Sequence, residues 1–295
     1  MLNPETKAVL TEFIENNVYG SDGYDFYDLF KLFSALEVRS VEDLLDAPQK
    51  YEAFLQKNIH LIKQADDNMP HRLSALAKIA RENIEKDFQK LNVDEQEKFS
   101  MIVKEMLPND PSLKILDVGA GKYPLSSAFI AKHFDNVSTM DEDFAIANQA
   151  IKAMNVNPVK GHFSESTPID DYDVVVGRYP CSAIVPIIKQ CASQNKPYII
   201  SLCLCHLPTK MELLGTDYGW AEVLPDLDKN AKIYGNFAFN FNIPMEKVKE
   251  IIDKYQPIQQ PTTRKAHVSF SEVKYTGKWH LFDDTPNIIE RGDYD

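Results

Sequence analysis

The sequence predicts an α/β protein, in which an all-α amino-terminal region precedes a parallel sheet with helices on both faces. Residues 1–106 carry apolar side chains at helical spacing and no alternation of the kind that strands show. From residue 107 onward, short apolar runs alternate with helical stretches, which is the pattern of a parallel sheet whose strands are joined by helices. We therefore expect a helical accessory or cap domain at 1–106 and a sheet domain at 107–295.

The composition is that of a globular protein and argues against two classes of partner. Hydrophobic residues make up 44% of the 295 residues, and no apolar run is long enough to span a membrane, so we expect no membrane partner. All four cysteines fall within residues 181–205, which favours a reducing, cytoplasmic location over a secreted disulfide framework. The formal net charge of -12 comes without a block of basic residues for nucleic-acid phosphates.

The amino-terminal region is expected to consist of helices joined by short connections. Ser40 begins one helix as its N-cap, with Asp43 at the third position, and Asp94 caps another helix that ends at Leu107. An aromatic stripe over residues 24–33 indicates core packing or, alternatively, one wall of an acceptor pocket. Apolar stripes predict further helices over Thr6 to Asn17, Tyr24 to Leu36, Tyr51 to Ala65 and Arg72 to Leu91, and residues 108–111 form the junction with the sheet.

A glycine loop follows the first predicted strand. That strand covers residues 114–116 and is closed by Asp117, after which Gly119 and Gly121 permit a tight turn and a helix begins near Pro124. A strand, a glycine loop and a helix form the unit that binds nucleotides at the carboxyl end of a parallel sheet. The dinucleotide fingerprint would need a glycine where Pro124 stands, and no Gly-Lys-Ser/Thr ending is present for a phosphate loop.

A second carboxylate stands at the end of the next predicted strand. Residues 137–140 form that strand, and Asp141 follows it, 20 residues after Gly121. A carboxylate at this distance in a β-α-β unit reaches the ribose hydroxyls of a bound nucleotide. The alternative is a solvated acidic loop made of Asp141, Glu142 and Asp143.

The apolar strand, the sequence Asp117-x-Gly-x-Gly121 and the downstream carboxylate resemble the first motifs of class I S-adenosylmethionine-dependent methyltransferases. The resemblance covers about residues 107–283. The resemblance implies a seven-stranded Rossmann-like sheet and S-adenosylmethionine as the cofactor. Asp117, Gly119 and Gly121 would hold the cofactor, with a carboxylate available to its ammonium group. The third glycine of that family is replaced here by Tyr123.

The same resemblance assigns further cofactor contacts. Asp141, and beside it Glu142, would bind the ribose hydroxyls, and His162 and Phe163 after the third predicted strand would flank the adenine. A solvated loop is the alternative position for His162. Arg178 ends the fourth predicted strand, where it would meet the cofactor carboxylate or the acceptor, or alternatively form a structural ion pair.

Two further positions bear on catalysis. The segment Tyr179-Pro180-Cys181 stands where methyltransferases of amino groups often carry Asp/Asn-Pro-Pro-Tyr/Phe, and its different sequence argues against that chemistry. His206 follows the fifth predicted strand, residues 197–205, and is a candidate general base, with Arg178 as the other catalytic candidate. A loop or core histidine is the alternative for His206. The two cysteines of that strand lack a second ligand pair at zinc-site spacing, so we expect no metal.

The remainder of the chain completes the predicted sheet. Residues 207–243 lose regular periodicity and are a candidate substrate lid, and residues 244–255 are helical. Residues 267–275 and 278–282 are expected to form an antiparallel hairpin that supplies the last of seven strands. An acidic tail follows at residues 284–295.

Two narrower resemblances concern the methyl acceptor. The helical amino-terminal domain and Gly121-Lys-Tyr-Pro-Leu125 look like the ribosomal-RNA methyltransferases that confer aminoglycoside resistance. Pro180-Cys181, Lys196-Pro197 and a cysteine-rich strand ending in His206 are similar to a group that includes tRNA ribose methyltransferases. Three functions therefore stay open. They are an RNA methyltransferase, which both resemblances favour, a small-molecule O- or N-methyltransferase with the helical domain as a lid, and a cofactor-binding interaction module without transferase activity.

Overall fold

A computed structural model describes residues 26–63, 81–202, 220–256, 279–282 and 288–291. The predicted helix at residues 6–17 and the predicted strand at residues 267–275 lie outside these residues. So do the candidate base His206 and the two cysteines of the fifth predicted strand, Cys203 and Cys205. In the part of the chain that is described, no helix is long and apolar enough to cross a membrane.

The amino-terminal region consists of helices and short connections. Ser40 is the N-cap of a short helix and accepts a hydrogen bond from the Asp43 amide at 3.1 Å, as predicted. The prediction that Asp94 caps the last of these helices is wrong, because Asn92 is the N-cap and accepts from the Glu95 amide. Both residue types cap helices well, so two such residues close together do not decide the start. The helices are α1 (Phe26–Glu37), α2 (Val41–Leu45), α3 (Ala47–Lys63), α4 (helical residues 81–90) and α5 (Val93–Met106).

The sheet has seven strands, which confirms the predicted Rossmann-like α/β architecture. The strands are β1 (Lys114–Val118), β2 (Asn136–Asp141), β3 (Val156–Lys160), β4 (Val174–Arg178), β5 (Tyr198–Ser201), β6 (Lys232–Tyr234) and β7 (Phe237–Phe239). Their spatial order is β3-β2-β1-β4-β5-β7-β6, with β1 to β5 parallel and β7 antiparallel to both of its neighbours. The order reverses between β1 and β4, and ligands of such sheets bind in the crevice outside the strand ends at that point.

The closing hairpin comes from a different part of the chain than predicted. Strands β6 and β7 are joined through Gly235, which has a φ of 58°, and they lie inside the segment 207–243 that was expected to be irregular. These strands are three residues long, and β7 is buried at all of its positions, so neither shows a period of two. The predicted strand at residues 278–282 is observed as β8 (Trp279–Phe282), which pairs with β9 (Ile288–Arg291) in a separate two-stranded sheet.

Helices connect the strands, and most of them are short. The predicted helix over residues 244–255 is observed, and the helix between β4 and β5 is preceded by a 3-10 turn, Cys181–Ala183. The connecting helices are α6 (Leu125–Ile130), α7 (Asn148–Ala153), α8 (Ile184–Ser193), α9 (Trp220–Leu227) and α10 (Met245–Tyr255).

The two faces of the sheet belong to two hydrophobic clusters. One face, with Ile115 and Val176, shares a single cluster with the amino-terminal helices, including Phe30 of α1 and Phe99 of α5. The other face packs against α8 and contains Leu116 among its buried residues. Because a strand points successive side chains to opposite faces, neighbouring residues of β1 divide between the two clusters. The amino-terminal helices therefore cover one face of the sheet and are held there by shared apolar burial.

Candidate functional site

The glycine loop between β1 and α6 has two glycines with different surroundings. Gly119 (φ 71°) lies so close to Pro180 that a Cβ on it would stand 2.8 Å from the Pro180 Cα. Gly121 (φ 79°) would place a Cβ in open space, with nothing within 4 Å. Both conformations favour glycine. Gly119 is thus required for packing between two strand ends, whereas Gly121 leaves room for a ligand to approach the backbone.

Asp117 lies beneath this loop and has no exposed surface. Its Oδ2 accepts hydrogen bonds from the Ser126 and Ser127 hydroxyls, at 2.7 and 2.6 Å, while its buried Oδ1 has no hydrogen-bond partner among the described residues. Burial raises the pKa of this carboxyl to about 6, against the opposing effect of the two hydroxyls and of Arg178. Asp117 therefore positions the start of α6 from below, and its direct pairing with an ammonium group stays a prediction.

Hydrogen bonds connect the end of β2, including the Asp141 side chain, to the glycine loop. Its Oδ2 accepts the Gly121 amide at 2.8 Å, and the Gly119 amide donates to the Met140 carbonyl at 2.9 Å. The Asp141 side chain is half-buried. The loop is thus held open over the ends of β1 and β2, with the predicted ribose carboxylate bonded to it.

A cavity of about 390 Å³ lies between the glycine loop and the amino-terminal helices. One wall, which we call the loop wall, consists of Gly119, Ala120, Gly121, Lys122, Tyr123, Ser126, Arg178 and Tyr179. The opposite wall, which we call the helical wall, consists of Asp87, Lys90, Leu91, Asn92 and Gln96. Of the residues predicted to bind the cofactor, Gly119, Gly121 and Arg178 line this cavity, and Asp117 and Asp141 support its loop wall.

Arg178 projects from the end of β4 into the cavity. Its guanidinium lies 4.8 Å from the centre of the Tyr179 ring, and its buried Nε has no hydrogen-bond partner among the described residues. Burial lowers the pKa of Arg178, while Tyr179, Glu95 and Asp117 act in the opposite direction. No ion pair to Arg178 is present in the described part of the chain, so the guanidinium retains donors for an anionic ligand.

The helical wall is joined to the loop wall by hydrogen bonds. Asp87 Oδ2 accepts from the Tyr27 hydroxyl at 2.7 Å and from the Tyr123 hydroxyl at 3.3 Å, and Lys122 Nζ donates to the Tyr27 hydroxyl at 2.8 Å. The buried Gln96 Oε1 accepts the Ser126 amide at 3.0 Å. Burial is the main cause that raises the pKa values of both Tyr27 and Tyr123.

Sequence reasoning missed the helical wall. Asp87, Lys90 and Gln96 belong to no motif, and they meet the loop only because the helices pack on the sheet. The aromatic stripe of α1 follows the core-packing alternative, and none of its described residues lines the cavity. Phe30 and Phe33 are fully buried core residues, while Tyr27 reaches the hydrogen-bond network beside the cavity.

The predicted adenine and second ribose contacts are not among the residues that line this cavity. His162 and Glu142 are exposed and bond to each other, with 2.5 Å between His162 Nδ1 and Glu142 Oε1. Phe163 is buried in the core on the α8 side of the sheet. His206 falls outside the described residues. Within them, no group of three His, Cys, Asp or Glu side chains is arranged to hold a metal ion.

The comparisons with known proteins concern the fold. No protein-family model matches the chain, and no curated protein does. Similar solved structures include the YcgJ protein from Bacillus subtilis, with a TM-score of 0.28, 16% identity, and coverage of 35% of this chain and 49% of that one. The matched part of this chain thus spans about half the length of the YcgJ protein.

Two further structural neighbours are named as methyltransferases. The TehB-like SAM-dependent methyltransferase from Corynebacterium glutamicum has a TM-score of 0.35 and 16% identity, covering 48% of this chain and 84% of that one. The precorrin-6y C5,15-methyltransferase from Geobacter metallireducens has a TM-score of 0.32 and 16% identity, with the same two coverages.

Proposed function

We propose that the protein binds S-adenosylmethionine beside its glycine loop and transfers the methyl group to an acceptor. The observation that carries this proposal is the Gly121 amide held by Asp141, with open space in front of Gly121 and a cavity beside it. A nucleoside placed at the end of β2 would meet the remaining oxygen of Asp141 with its ribose hydroxyls. The amino-acid end would then extend along the loop toward Arg178.

The residues present fit this cofactor. It carries no phosphate, in keeping with a loop that lacks both phosphate-binding motifs. When bound, the cofactor supplies an activated methyl group on a sulfonium, so the protein's contribution is orientation of the acceptor and, where needed, proton removal. Arg178 offers unpaired donors to a carboxylate. Asp117 fixes the start of α6 below the loop through its hydrogen bonds from the Ser126 and Ser127 hydroxyls.

Calorimetry with S-adenosylmethionine tests the cofactor assignment. The wild type is expected to bind. Asp141→Ala is expected to weaken binding about tenfold or more, because the Gly121 amide and the ribose hydroxyls both lose the carboxylate that accepts their hydrogen bonds. Asp143→Ala, which removes an exposed carboxylate nearby, is the matched control and should bind as the wild type does. Absence of binding by the wild type would refute the proposal.

For the acceptor we propose RNA, with two alternatives. The two narrower sequence resemblances, at Gly121-Lys-Tyr-Pro-Leu125 and at Pro180-Cys181, support an RNA acceptor despite the overall charge of -12. Coverage of the loop by the amino-terminal helices supports the alternative of a small-molecule O- or N-methyltransferase. A cofactor-binding interaction module is the third possibility.

The acceptor is tested by incubation with cofactor carrying a labelled methyl group. RNA, protein and small-molecule fractions from the same extract are separated and counted. Label in RNA is the expected result, and label confined to small molecules would overturn the RNA proposal in favour of the first alternative. Cofactor binding without label in any fraction would favour the interaction module.

A further inference from the structure

Four charged side chains line the cavity, and Asp87 and Lys122 are linked only indirectly, through the Tyr27 hydroxyl. Asp87 and Lys90 belong to the helical wall, and Lys122 and Arg178 belong to the loop wall. In the described part of the chain, no ion pair joins any two of these four residues, although exposed charges elsewhere pair readily, as Lys132 does with Glu42 at 2.8 Å. A cavity that keeps one carboxylate and several cations apart suits a ligand that carries both signs of charge.

Asp87 is held in one orientation by its neighbours. Its Oδ2 accepts the hydroxyls of Tyr27 and Tyr123, and its other carboxylate oxygen has no bond among the described residues. Because Lys122 donates to the Tyr27 hydroxyl, the carboxylate is also tied to the glycine loop. A fixed carboxylate with one unused oxygen loses little conformational entropy when a cation binds to it.

Arg178 and Lys90 provide the opposite charge. The Arg178 guanidinium stands at the end of β4 with its Nε unpaired, and Lys90 comes from the last turn of helical residues 81–90, on the opposite wall. A guanidinium binds a carboxylate through two parallel hydrogen bonds, and an ammonium adds a further donor. An α-amino acid group presents an ammonium and a carboxylate on one carbon, which matches these two kinds of partner.

We propose that Asp87 and Lys90 of the helical wall, together with Arg178, bind the zwitterionic amino-acid end of S-adenosylmethionine. The inference rests on the proposed function and extends it to residues outside the sheet domain. Asp87 accepts the ligand's α-ammonium, and Arg178 and Lys90 donate to its carboxylate. The amino-terminal helices are then part of the cofactor site, and cofactor affinity depends on their docking over the glycine loop.

Three ligands separate this role from a merely structural one. S-adenosylmethionine and S-adenosylhomocysteine both carry the amino-acid end, whereas 5′-methylthioadenosine has the nucleoside and a thioether without it. Calorimetry on Asp87→Asn is expected to show about tenfold weaker binding of the first two, because one charge-assisted hydrogen bond is lost, with binding of 5′-methylthioadenosine unchanged. Glu85→Gln, an exposed carboxylate on the same helix, is the matched control and should alter none of the three.

Lys90→Ala provides a second variant that does not depend on the hydrogen-bond network of Asp87. Lys90 is exposed, so its replacement leaves the fold intact and should weaken both amino-acid-bearing ligands several-fold while sparing 5′-methylthioadenosine. If Asp87→Asn binds all three ligands equally more weakly, or if neither variant changes binding, this inference is overturned while the proposed function stands. A wild type that binds none of the three would instead overturn the proposed function.

Discussion

The loop wall and the helical wall face each other across one cavity, yet they are built in different ways. The loop wall is mostly local, since residues 119–124 connect β1 to α6 and Ser126 lies in the first turn of α6. The helical wall reaches the cavity through contacts between residues distant in the chain, such as Gln96 with the Ser126 amide. The difference shows that a local glycine-loop motif can define half of a cavity, while the other half depends on how a separate group of helices packs.

The largest expected effect is on the loop wall. Gly119→Ala should lower the free energy of unfolding by about 3 kcal/mol or more, because a positive φ and a Cβ 2.8 Å from the Pro180 Cα both oppose the side chain. Urea unfolding measures this change. Gly161→Ala is the control, since its Cβ would meet the Met140 Cε at an ordinary 3.6 Å, and it should stay near the wild type. Equal stability of the two variants would show that the loop rearranges freely.

A pH-dependent effect is expected beneath the loop wall. The pKa of Asp117 is raised from 3.8 to about 6 in the folded protein, so the carboxyl favours folding when protonated and its contribution is lost as the pH rises between these values. Asp117→Asn keeps the side chain neutral and is therefore expected to gain stability relative to the wild type from pH 4 to pH 7, by up to about 3 kcal/mol.

Urea unfolding of both proteins across this pH range measures the difference. Asp110→Asn is a suitable control, because hydrogen bonds from Ser112 lower the pKa of this exposed carboxyl and its change with pH should have the opposite sign. A constant difference between wild type and Asp117→Asn would contradict the argument from burial.

The smallest effect is expected at the helical wall. Gln96→Leu leaves the Ser126 amide without its acceptor in a buried position, which should cost about 1 to 3 kcal/mol in the free energy of unfolding. Glu97→Leu changes the next, exposed residue of α5 and should have little effect. If the two variants unfold alike, the hydrogen bond between the walls contributes nothing and the helices dock through apolar contacts alone.

Much of the fold was predictable because its main elements have strong local patterns. Buried parallel strands such as β1 and β4 appear as short apolar runs, and Ser40 is recognisable as a cap. The closing hairpin was placed wrongly, because β6 and β7 are only three residues long and carry no alternation. Tyr234-Gly235-Asn236-Phe237 contains a turn dipeptide between aromatic residues, which was the available signal.

The candidate site was predictable on one side. Gly119, Gly121 and Asp141 lie together at one loop, because the carboxyl ends of neighbouring parallel strands meet at one edge of the sheet. The complete burial of Asp117 could not be inferred from the sequence, because burial depends on the whole fold. The contact between His162 and Glu142 could not be inferred either. Periodicity describes which face of an element is apolar, and it does not state which polar residues of another element will face it.

The sequence by itself determined the strand, glycine loop and helix at residues 114–130, because φ preferences and apolar runs act over a few residues. Only the tertiary structure decided that Asp117 is a buried support and that Gly119 serves packing against Pro180, while Gly121 faces open space. Only the tertiary structure brought Asp87 to the cavity, through apolar burial shared between the amino-terminal helices and the sheet. That burial is non-directional and is summed over many distant residues, so no short motif encodes it.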